Sequence, residues 1–287
     1  MESKATGSRR WVPTSKTLAC RRLAEGRFTQ SEVSVIIEKE LQVYVNGRLL
    51  VTASVTPSME KEFVIGYLFG QGFIDGLGDV ASVDIEENTV RVRLTDAGKL
   101  TGAGAASYRI VSGGGRVAYY EGAGLPQIKG STRIGQGTIF KAMNTLFETA
   151  RFYRETEGVH AAGLFTTAGD LICIVEDIGR HNSLDKAIGY ALLNKVDRAN
   201  SFLVSTGRMA SEMVSKICRA GIPLVATKTA VTDKGLDIGR KQGLTIIGFV
   251  RDVGMRIHTD METRVIERSG MKIYTGADRV PCEESPR

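Results

Sequence analysis

The chain has 287 residues, of which 42% are hydrophobic and 24% are charged. This is the composition of a globular protein with room for one large or two small domains. The sequence contains no run of about eighteen apolar residues and no apolar signal core near its start, so we expect no membrane segment and a cytoplasmic location.

The formal net charge is +6, and most of it lies at the start of the chain. Residues 1–30 hold seven Lys or Arg and two Glu, so this segment carries +5 of the +6. A short basic arm beside a nearly neutral body is typical of a flexible terminus rather than of a nucleic-acid-binding domain. We therefore predict a basic flexible segment over 1–30 and expect no nucleic-acid partner.

A β-rich N-terminal subdomain is predicted over 31–125. Residues 32–55 alternate in strand fashion, and Asn46-Gly47 within them predicts a hairpin turn that starts the fold. Thr56-Pro57 predicts the start of a helix, and 80–94 predict two more strands. The glycine-rich residues 102–124 predict a mobile loop.

An α/β core is predicted over 126–260. One amphipathic helix is expected at 138–156, and the unbroken apolar run LICIV (171–175) predicts a strand covered on both faces. Strands and helices then alternate in a βαβαβ series, which predicts a parallel sheet with ligands at the carboxyl ends of its strands. Its elements are strands at 201–205, 223–227 and 244–250 and helices at 208–219 and 232–241. We expect 261–287 to form a polar, loosely attached C-terminal tail.

The densest polar cluster is EDIGRHNSLDKAIG (176–189), which directly follows LICIV. Asn182 and Asp185 have the spacing of an N-cap and its reciprocal partner, which predicts a helix N-terminus at this point. Free N–H groups there favour an anion such as a phosphate, and Arg180 could add a bidentate contact. The alternative is a capped helix with solvated ion pairs and no ligand.

Two further positions are candidates for ligand contacts. A strand end that opens a predicted helix carries Ser205, Thr206, Gly207 and Arg208, which suggests a second phosphate cradle; a plain βα turn is the alternative. His160 lies in the strand GVHAAGLF, where a lone histidine is either a structural residue or a ligand.

The four cysteines, Cys20, Cys173, Cys218 and Cys282, are widely separated and have no metal-binding or paired spacing. We therefore predict neither a disulfide framework nor a zinc site. Cys173 and Cys218 lie in an apolar strand and a helix, so we expect both thiols to be buried and inert. Cys20 and Cys282 lie in polar end segments.

Four motifs in order resemble the formate dehydrogenase accessory protein family, FdhD: GVHAAGLF, EDIGRHNSLDKAIG, STGRMASEMVSKICRAGIP and LTIIGFVR. The resemblance implies a three-layer α/β fold with a mixed sheet, similar to that of the cytidine deaminases. It also implies a sulfurtransferase that receives persulfide sulfur from a cysteine desulfurase. The sulfur then passes to the molybdenum bis-molybdopterin guanine dinucleotide cofactor of formate dehydrogenase. A homodimer is implied as well.

On this resemblance, the chain would bind the cofactor transiently, with GDP as a recognisable fragment. The cofactor-binding residues implied are His160, Glu176, Asp177, Arg180, His181, Asn182, Ser205, Gly207, Arg208, Phe249, Val250, Arg251, Asp252, Val253 and Gly254.

The chain departs from the family pattern where the family carries its sulfur-bearing cysteine. That position falls at Gly113, Gly114 or Gly115, and neither glycine nor the preceding Ser112 can replace a thiolate. Either a cysteine in an end segment serves instead, or the chain keeps cofactor binding without the sulfur step, so its status as an enzyme is open.

Two other functions are compatible with the sequence. One is a nucleotide-dependent or metal-assisted hydrolase that uses His160, Glu176 and His181. The other is a scaffold between cysteine desulfurase and dehydrogenase.

Overall fold

The computed structural model describes residues 13–96, 98, 108–110, 124–130, 132–253, 256–258, 263–265 and 268–281. Their strands form a six-stranded sheet, a five-stranded sheet and two two-stranded ribbons. The predicted positions Gly113, Gly114, Gly115, Gly254 and Cys282 lie outside the described residues.

The first element is an antiparallel ribbon of β1 (Ser15–Ala24) and β2 (Arg27–Ile36). Its Leu23 and Phe28 are 59% and 61% exposed, so the ribbon buries little apolar surface. Much of 1–30, predicted as a flexible segment, is thus in strands, and this ribbon precedes the hairpin that was expected to start the fold.

The N-terminal sheet has the order β5-β6-β3-β4-β7. Asn46-Gly47 joins β3 to β4, and Asn46 has the positive φ that such a turn requires, so the predicted hairpin is confirmed. The two strands predicted over 80–94 are also present as a hairpin. The strands are β3 (Lys39–Val45), β4 (Arg48–Val55), β5 (Val80–Glu86), β6 (Thr89–Leu94) and β7 (Tyr108–Ile110).

The first helix, α1 (Glu60–Gly70), begins later than predicted. Its N-cap is Met59 in a left-handed conformation, and not Thr56. The prediction at Thr56-Pro57 was wrong because the Thr56 side chain bonds a distant carboxylate, that of Asp177, instead of its own helix.

The six-stranded sheet has the order β15-β12-β11-β10-β8-β9. Its centre, β10-β11-β12, is parallel, as the βαβαβ pattern predicted, whereas β8, β9 and β15 pair antiparallel, so the sheet is mixed. The strands are β8 (His160–Thr166), β9 (Leu171–Asp177), β10 (Ser201–Ser205), β11 (Leu224–Thr227), β12 (Thr245–Arg251) and β15 (Gly270–Thr275). A separate ribbon pairs β13 (Arg256–His258) with β14 (Thr263–Val265).

Two predictions about this sheet were wrong. LICIV lies in β9, which is an edge strand with alternating burial rather than a strand covered on both faces. The expected C-terminal tail supplies β15, the opposite edge strand, and the buried Arg279 beyond it donates to the carbonyl of Gly243.

Helices cover both faces of the six-stranded sheet, and each face has its own apolar core. Leu164 and Leu203 face the core shared with α1, α4 and α5, whereas Phe165 and Phe202 face the core shared with α2. The predicted three-layer α/β fold is therefore confirmed. The single helix expected over 138–156 is two helices that meet at Ala150. The helices are α2 (Gln136–Thr149), α3 (Arg151–Thr156), α4 (Arg180–Leu193), α5 (Ser211–Ala220) and α6 (Asp233–Gln242).

No helix within the described residues is long and apolar enough to cross a membrane.

Helices α1 and α4 cross at a pair of glycines. A Cβ atom added to Gly66 would lie 1.8 Å from the carbonyl oxygen of Asp185, and one added to Gly189 would lie 1.8 Å from that of Glu62. The two backbones therefore touch without any side chain between them. This contact joins the N-terminal subdomain to the helix that follows β9.

We expect Gly189→Ala to lower the free energy of unfolding by about 3 kcal/mol or to prevent folding, because backbone atoms cannot yield as a flexible side chain can. Urea denaturation followed by circular dichroism measures this change. Gly78→Ala is the matched control, since a Cβ there meets nothing within 4 Å. Equal stability of the two variants would refute the close crossing.

Candidate functional site

The site lies where the strands of the six-stranded sheet end. The carboxyl ends of β10, β11 and β12 share one edge because these strands are parallel. Since β8 runs antiparallel to β10, its first residue, His160, lies at the same edge, beside the β10 end at Ser205. The end of β9 pairs with His160 through Asp177. The topology thus brings together segments distant in sequence.

At the end of β9, Asp177 has no solvent exposure and is fully engaged. Its carboxylate accepts hydrogen bonds from the backbone N–H and hydroxyl of Thr56, from Gly179 N–H and from Asn182 Nδ2, at 2.8 to 3.1 Å. It also forms a buried ion pair with Lys186 at 2.6 Å. Asp177 and Asn182, predicted as cofactor ligands, therefore hold the fold together.

Helix α4 begins at Arg180, with Gly179 as an N-cap that provides no side-chain bond. The predicted cap was wrong, because Asn182 lies inside the first turn and Asp185 pairs with Lys216 of α5 at 2.6 Å. The alternative of solvated ion pairs is also wrong here, because both ion pairs of this motif are buried. The N–H groups of the first turn have no side-chain cap and can donate to a bound anion.

Three cations surround His160: Arg180, Arg208 and Lys228. Burial and then these three charges lower the pKa of His160 to about 4, and among the described residues Asp177 opposes this shift. Within the described residues, none of the three cations has a carboxylate within ion-pair distance. The edge of the sheet therefore carries a concentration of positive charge with no direct carboxylate pair, although Glu212 and Asp177 act on it from a greater distance. We call this group the cation cluster (His160, Arg180, Arg208 and Lys228).

Arg180 is the least satisfied member of the cation cluster. Its Nε atom is buried and has no hydrogen-bond partner within the described part of the chain. Burial, followed by the charge of Arg208, lowers its pKa, and the charge of Glu212 opposes this shift. Gly207 lies against it, since a Cβ added there would be 2.8 Å from the Arg180 Cβ. The aliphatic part of the Arg180 side chain is thus packed against Gly207, while its Nε–H donor is unused by the described residues.

Lys228 was missed by the sequence analysis. It follows β11 directly, and its ammonium group lies 4.8 Å from the ring centre of Tyr153, whose hydroxyl it also contacts, and 5.3 Å from that of Phe147. The rule that ligands gather at carboxyl ends of parallel strands would have identified it, because it stands at the end of PLVAT.

His181 is the second histidine of this region and is only 5% exposed. Its pKa is lowered to about 3 by burial, by Lys216, by Arg180 and by His160. The ring is therefore neutral, and its Nε2 lies 3.0 Å from a carboxylate oxygen of Glu212, to which an Nε2–H donates. His181 is thus oriented by α5.

In the turn after β10, predicted as a second phosphate cradle, two of the backbone N–H groups already have partners. Helix α5 begins at Ser211, so Ser205, Gly207 and Arg208 precede it by several residues. The Gly207 N–H donates to the Ser205 hydroxyl, and the Thr206 N–H donates to the Ala161 carbonyl. These N–H groups are already used, and Arg208 contributes through its exposed side chain instead.

The carboxylate of Glu176 caps helix α3, so it is engaged there and not with His160 or His181. Its carboxylate accepts from the N–H groups of Phe152 and Tyr153, at 3.2 and 2.6 Å, at the start of α3. Burial raises its pKa. The His160, Glu176 and His181 set proposed for a hydrolase is therefore not assembled around one point.

Among the described residues, no group of His, Cys, Asp and Glu side chains is arranged to hold a metal ion.

The end of β12 lies two strands away from β10 along the same edge. Phe249 has a left-handed backbone with φ 52°, and Lys272 lies 4.8 Å from its ring centre. Val250 is buried in the core, while Asp252 accepts from Asn144 at 2.7 Å. Arg251 and the exposed Val253 complete the segment.

The thiols differ in their availability. Burial raises the pKa of Cys173 and of Cys218 to about 12, so neither forms a thiolate near neutral pH, as their apolar settings predicted. Cys20 is partly exposed in β1.

The two histidines with lowered pKa values predict a loss of stability in acid. Both pKa values lie below the ordinary 6.5, so the unfolded chain binds more protons between about pH 4 and 6.5. Their contribution is complete above pH 6.5 and falls as the pH drops. We expect about 2 kcal/mol less stability at pH 5.5 than at pH 7.5, measured by urea denaturation.

Asp185 titrates in the opposite direction, because burial raises its pKa to about 6. The informative quantity is therefore the difference between wild type and His181→Gln, which should show a shallower acid loss. Identical pH profiles for the two proteins would refute the neutral buried state of His181.

Comparison with known proteins places the chain in one family. The model of the FdhD/NarQ family matches residues 36–280. The sulfur carrier protein FdhD of Sulfurisphaera tokodaii is 39% identical over 74% of this chain and 82% of its own length. The FdhD of Methanothermobacter thermautotrophicus is 32% identical over 79% of this chain and 90% of its own.

The fold is also similar to a solved structure. The crystal structure of a formate dehydrogenase accessory protein from Desulfotalea psychrophila matches with a TM-score of 0.76 and 22% identity, covering 94% of this chain and all of that one. At this identity the likeness concerns the fold alone. Because the family model spans most of the chain and the relatives align over most of their lengths, the chain belongs to the FdhD/NarQ family.

Proposed function

We propose that this protein is an accessory factor for formate dehydrogenase that holds the molybdenum bis-molybdopterin guanine dinucleotide by its phosphates and supports its sulfuration or delivery. The observation that carries this proposal is the cation cluster, in which three cations meet without a carboxylate partner among the described residues. The relatives are named as sulfur carrier proteins, and this supports the accessory role.

The donor set of the cluster suits a diphosphate. Guanidinium groups bind phosphate oxygens through paired N–H donors, and Arg180 has a buried Nε–H that no described residue engages. The uncapped N-terminus of α4 adds backbone N–H groups and the positive end of a helix dipole. A phosphate at this point would satisfy donors that the fold leaves open.

The sulfur step requires a thiolate, and few cysteines of this chain can provide one near neutral pH. A thiolate attacks the outer sulfur of a desulfurase persulfide, the S–S bond to the desulfurase breaks, and a new persulfide forms with no net oxidation. Cys173 and Cys218 are excluded by their raised pKa. Of the described cysteines, Cys20 alone is open to solvent. We therefore propose Cys20 as the acceptor for sulfur.

The proposed partners follow from these roles: a cysteine desulfurase as sulfur donor, formate dehydrogenase as recipient, and a second copy of the chain in a homodimer. We place this activity in the cytoplasm. A scaffold between the two enzymes remains the second candidate, which the missing cysteine at Gly113–Gly115 favours. The hydrolase has less support because Glu176 caps α3.

GDP should bind wild-type protein, and Arg208→Ala and Arg180→Ala should each weaken binding at least about tenfold, because each removes a charged hydrogen-bond donor. Isothermal titration calorimetry measures the affinities. Arg240→Ala is the control, since Arg240 pairs with Asp237 in the last turn of α6, near the opposite end of the strands. Arg251→Ala tests whether the site extends to β12. No GDP binding by wild type would refute the cofactor-holding role.

Cys20 should take up persulfide sulfur from a cysteine desulfurase supplied with cysteine. Intact-protein and peptide mass spectrometry should find one added sulfur on Cys20, and Cys20→Ser should abolish it, whereas Cys218→Ser should retain it. Sulfur uptake that survives in Cys20→Ser and disappears in Cys282→Ser would assign the role to the other end segment. No uptake in any protein would leave the scaffold as the better account.

A further inference from the structure

Thr206 and His160 form a pair at the centre of the cation cluster. The Thr206 side chain is in a residue only 2% exposed, and its Oγ1 accepts a hydrogen bond from Ala161 N–H at 3.0 Å. The same oxygen lies 3.3 Å from Nδ1 of His160. Because the Thr206 N–H also donates to the Ala161 carbonyl, the turn after β10 is joined to the start of β8 by two bonds.

The hydroxyl proton of Thr206 determines which histidine nitrogen is protonated. A hydroxyl group has one proton to donate, and a buried donor without an acceptor costs free energy. Within the described residues, Nδ1 of His160 is the acceptor in reach of this proton. If Nδ1 carried a proton as well, two donors would face each other. Nδ1 is therefore the acceptor, and the proton of the neutral ring is on Nε2.

The surroundings keep the ring neutral. Arg180, Lys228 and Arg208 all oppose a positive charge on His160, and burial adds to their effect, which brings its pKa to about 4. Among the residues that the structure describes, Asp177 is the carboxylate that favours the charge, and its oxygens are already engaged in a buried ion pair and four hydrogen bonds. The neighbouring His181 is neutral too.

We propose that His160 is the neutral hydrogen-bond donor of this site: Thr206 fixes the Nε2–H tautomer, and Nε2–H donates to a phosphate oxygen of the bound nucleotide. The inference rests on the proposed function, since it deepens the account of the same site. Nε2 has no hydrogen-bond partner among the described residues, so the donor is available. His160 would touch the ligand, whereas Thr206 would be a positioning residue.

A neutral donor has a distinct consequence for binding. The three cations supply attraction for an anion, and a fourth charge would raise the cost of holding them together. An imidazole N–H adds a directed bond without adding charge. Binding at neutral pH should therefore take up no proton at His160, and the affinity should not follow a histidine titration.

The first test is the tautomer in the free protein. Long-range proton–nitrogen correlation spectra of nitrogen-15-labelled protein at pH 7 distinguish Nε2–H, Nδ1–H and doubly protonated rings, and His160→Gln assigns the signal. We expect Nε2–H in wild type and in Thr206→Ser, and a mixture of tautomers in Thr206→Val. A structural role for Thr206 alone would not move this signature. An Nδ1–H or doubly protonated ring in wild type overturns the proposal.

The second test is calorimetric titration with GDP at pH 7 in two buffers of different ionisation enthalpy. His160→Leu should weaken binding about tenfold, because a hydrogen bond to a charged group is lost. His160→Gln, which keeps an N–H donor of similar reach, should lose less than about threefold. The heats in the two buffers should agree, which shows that no proton is taken up.

The outcomes separate this proposal from the function on which it rests. If wild type and His160→Leu bind GDP equally, the donor role is overturned and the role of the arginines stands. If the binding enthalpies in the two buffers differ by the amount expected for uptake of one proton, His160 binds as an imidazolium and the proposal is overturned. If wild type does not bind GDP, the proposed function fails, and the donor role fails with it whatever the tautomer.

Discussion

The buried carboxylate of Asp177 is the interaction on which the rest of the structure depends. It receives bonds from the end of β4 through Thr56, from the turn before α4 through Gly179, and from α4 itself through Asn182 and Lys186. Removing one partner of a buried ion pair leaves an uncompensated charge and typically costs about 3 to 5 kcal/mol. Asp177 thus fixes the N-terminal subdomain, the last β9 residue and the helix that carries Arg180 relative to one another.

The glycine crossing of α1 and α4 sets the distance between the same parts. Gly66 and Gly189 bring the two backbones into direct contact, so α4 cannot move away from the N-terminal subdomain without opening a gap in the core. At its start, α4 meets the turn after β10, where Gly207 leaves no room for a Cβ beside Arg180. The position of the Arg180 side chain therefore follows from packing at both the middle and the beginning of one helix.

Features set by local sequence were predictable, and features set by distant partners were not. The Asn46-Gly47 hairpin and the parallel β10-β11-β12 core follow from turn chemistry and periodicity. The expected cap at Asn182 was wrong because its amide bonds Asp177 and the Ser54 carbonyl, which is 128 residues away. The same limit applies to β15, whose composition is polar and whose place in the sheet comes from pairing with β12. The long-range partners of the Glu176 and Asp177 carboxylates could not be deduced from residue type.

The electrostatics of the site depend on how Asp177 uses its charge. A carboxylate so close to His160 would be expected to neutralise the cation cluster, yet its oxygens are filled by Lys186 and by four hydrogen bonds. The pair with Lys186 carries no net charge, so Arg180, Arg208 and Lys228 keep an excess positive field. Burial is the largest cause of the lowered pKa values of Arg180 and His160, and the neighbouring positive charges add to it, so holding these groups charged near one another costs stability. The proposed anionic ligand would relieve that cost on binding, and the two neutral histidines limit it in the free protein. The residue that organises the fold thereby leaves the charge of the site available for a ligand.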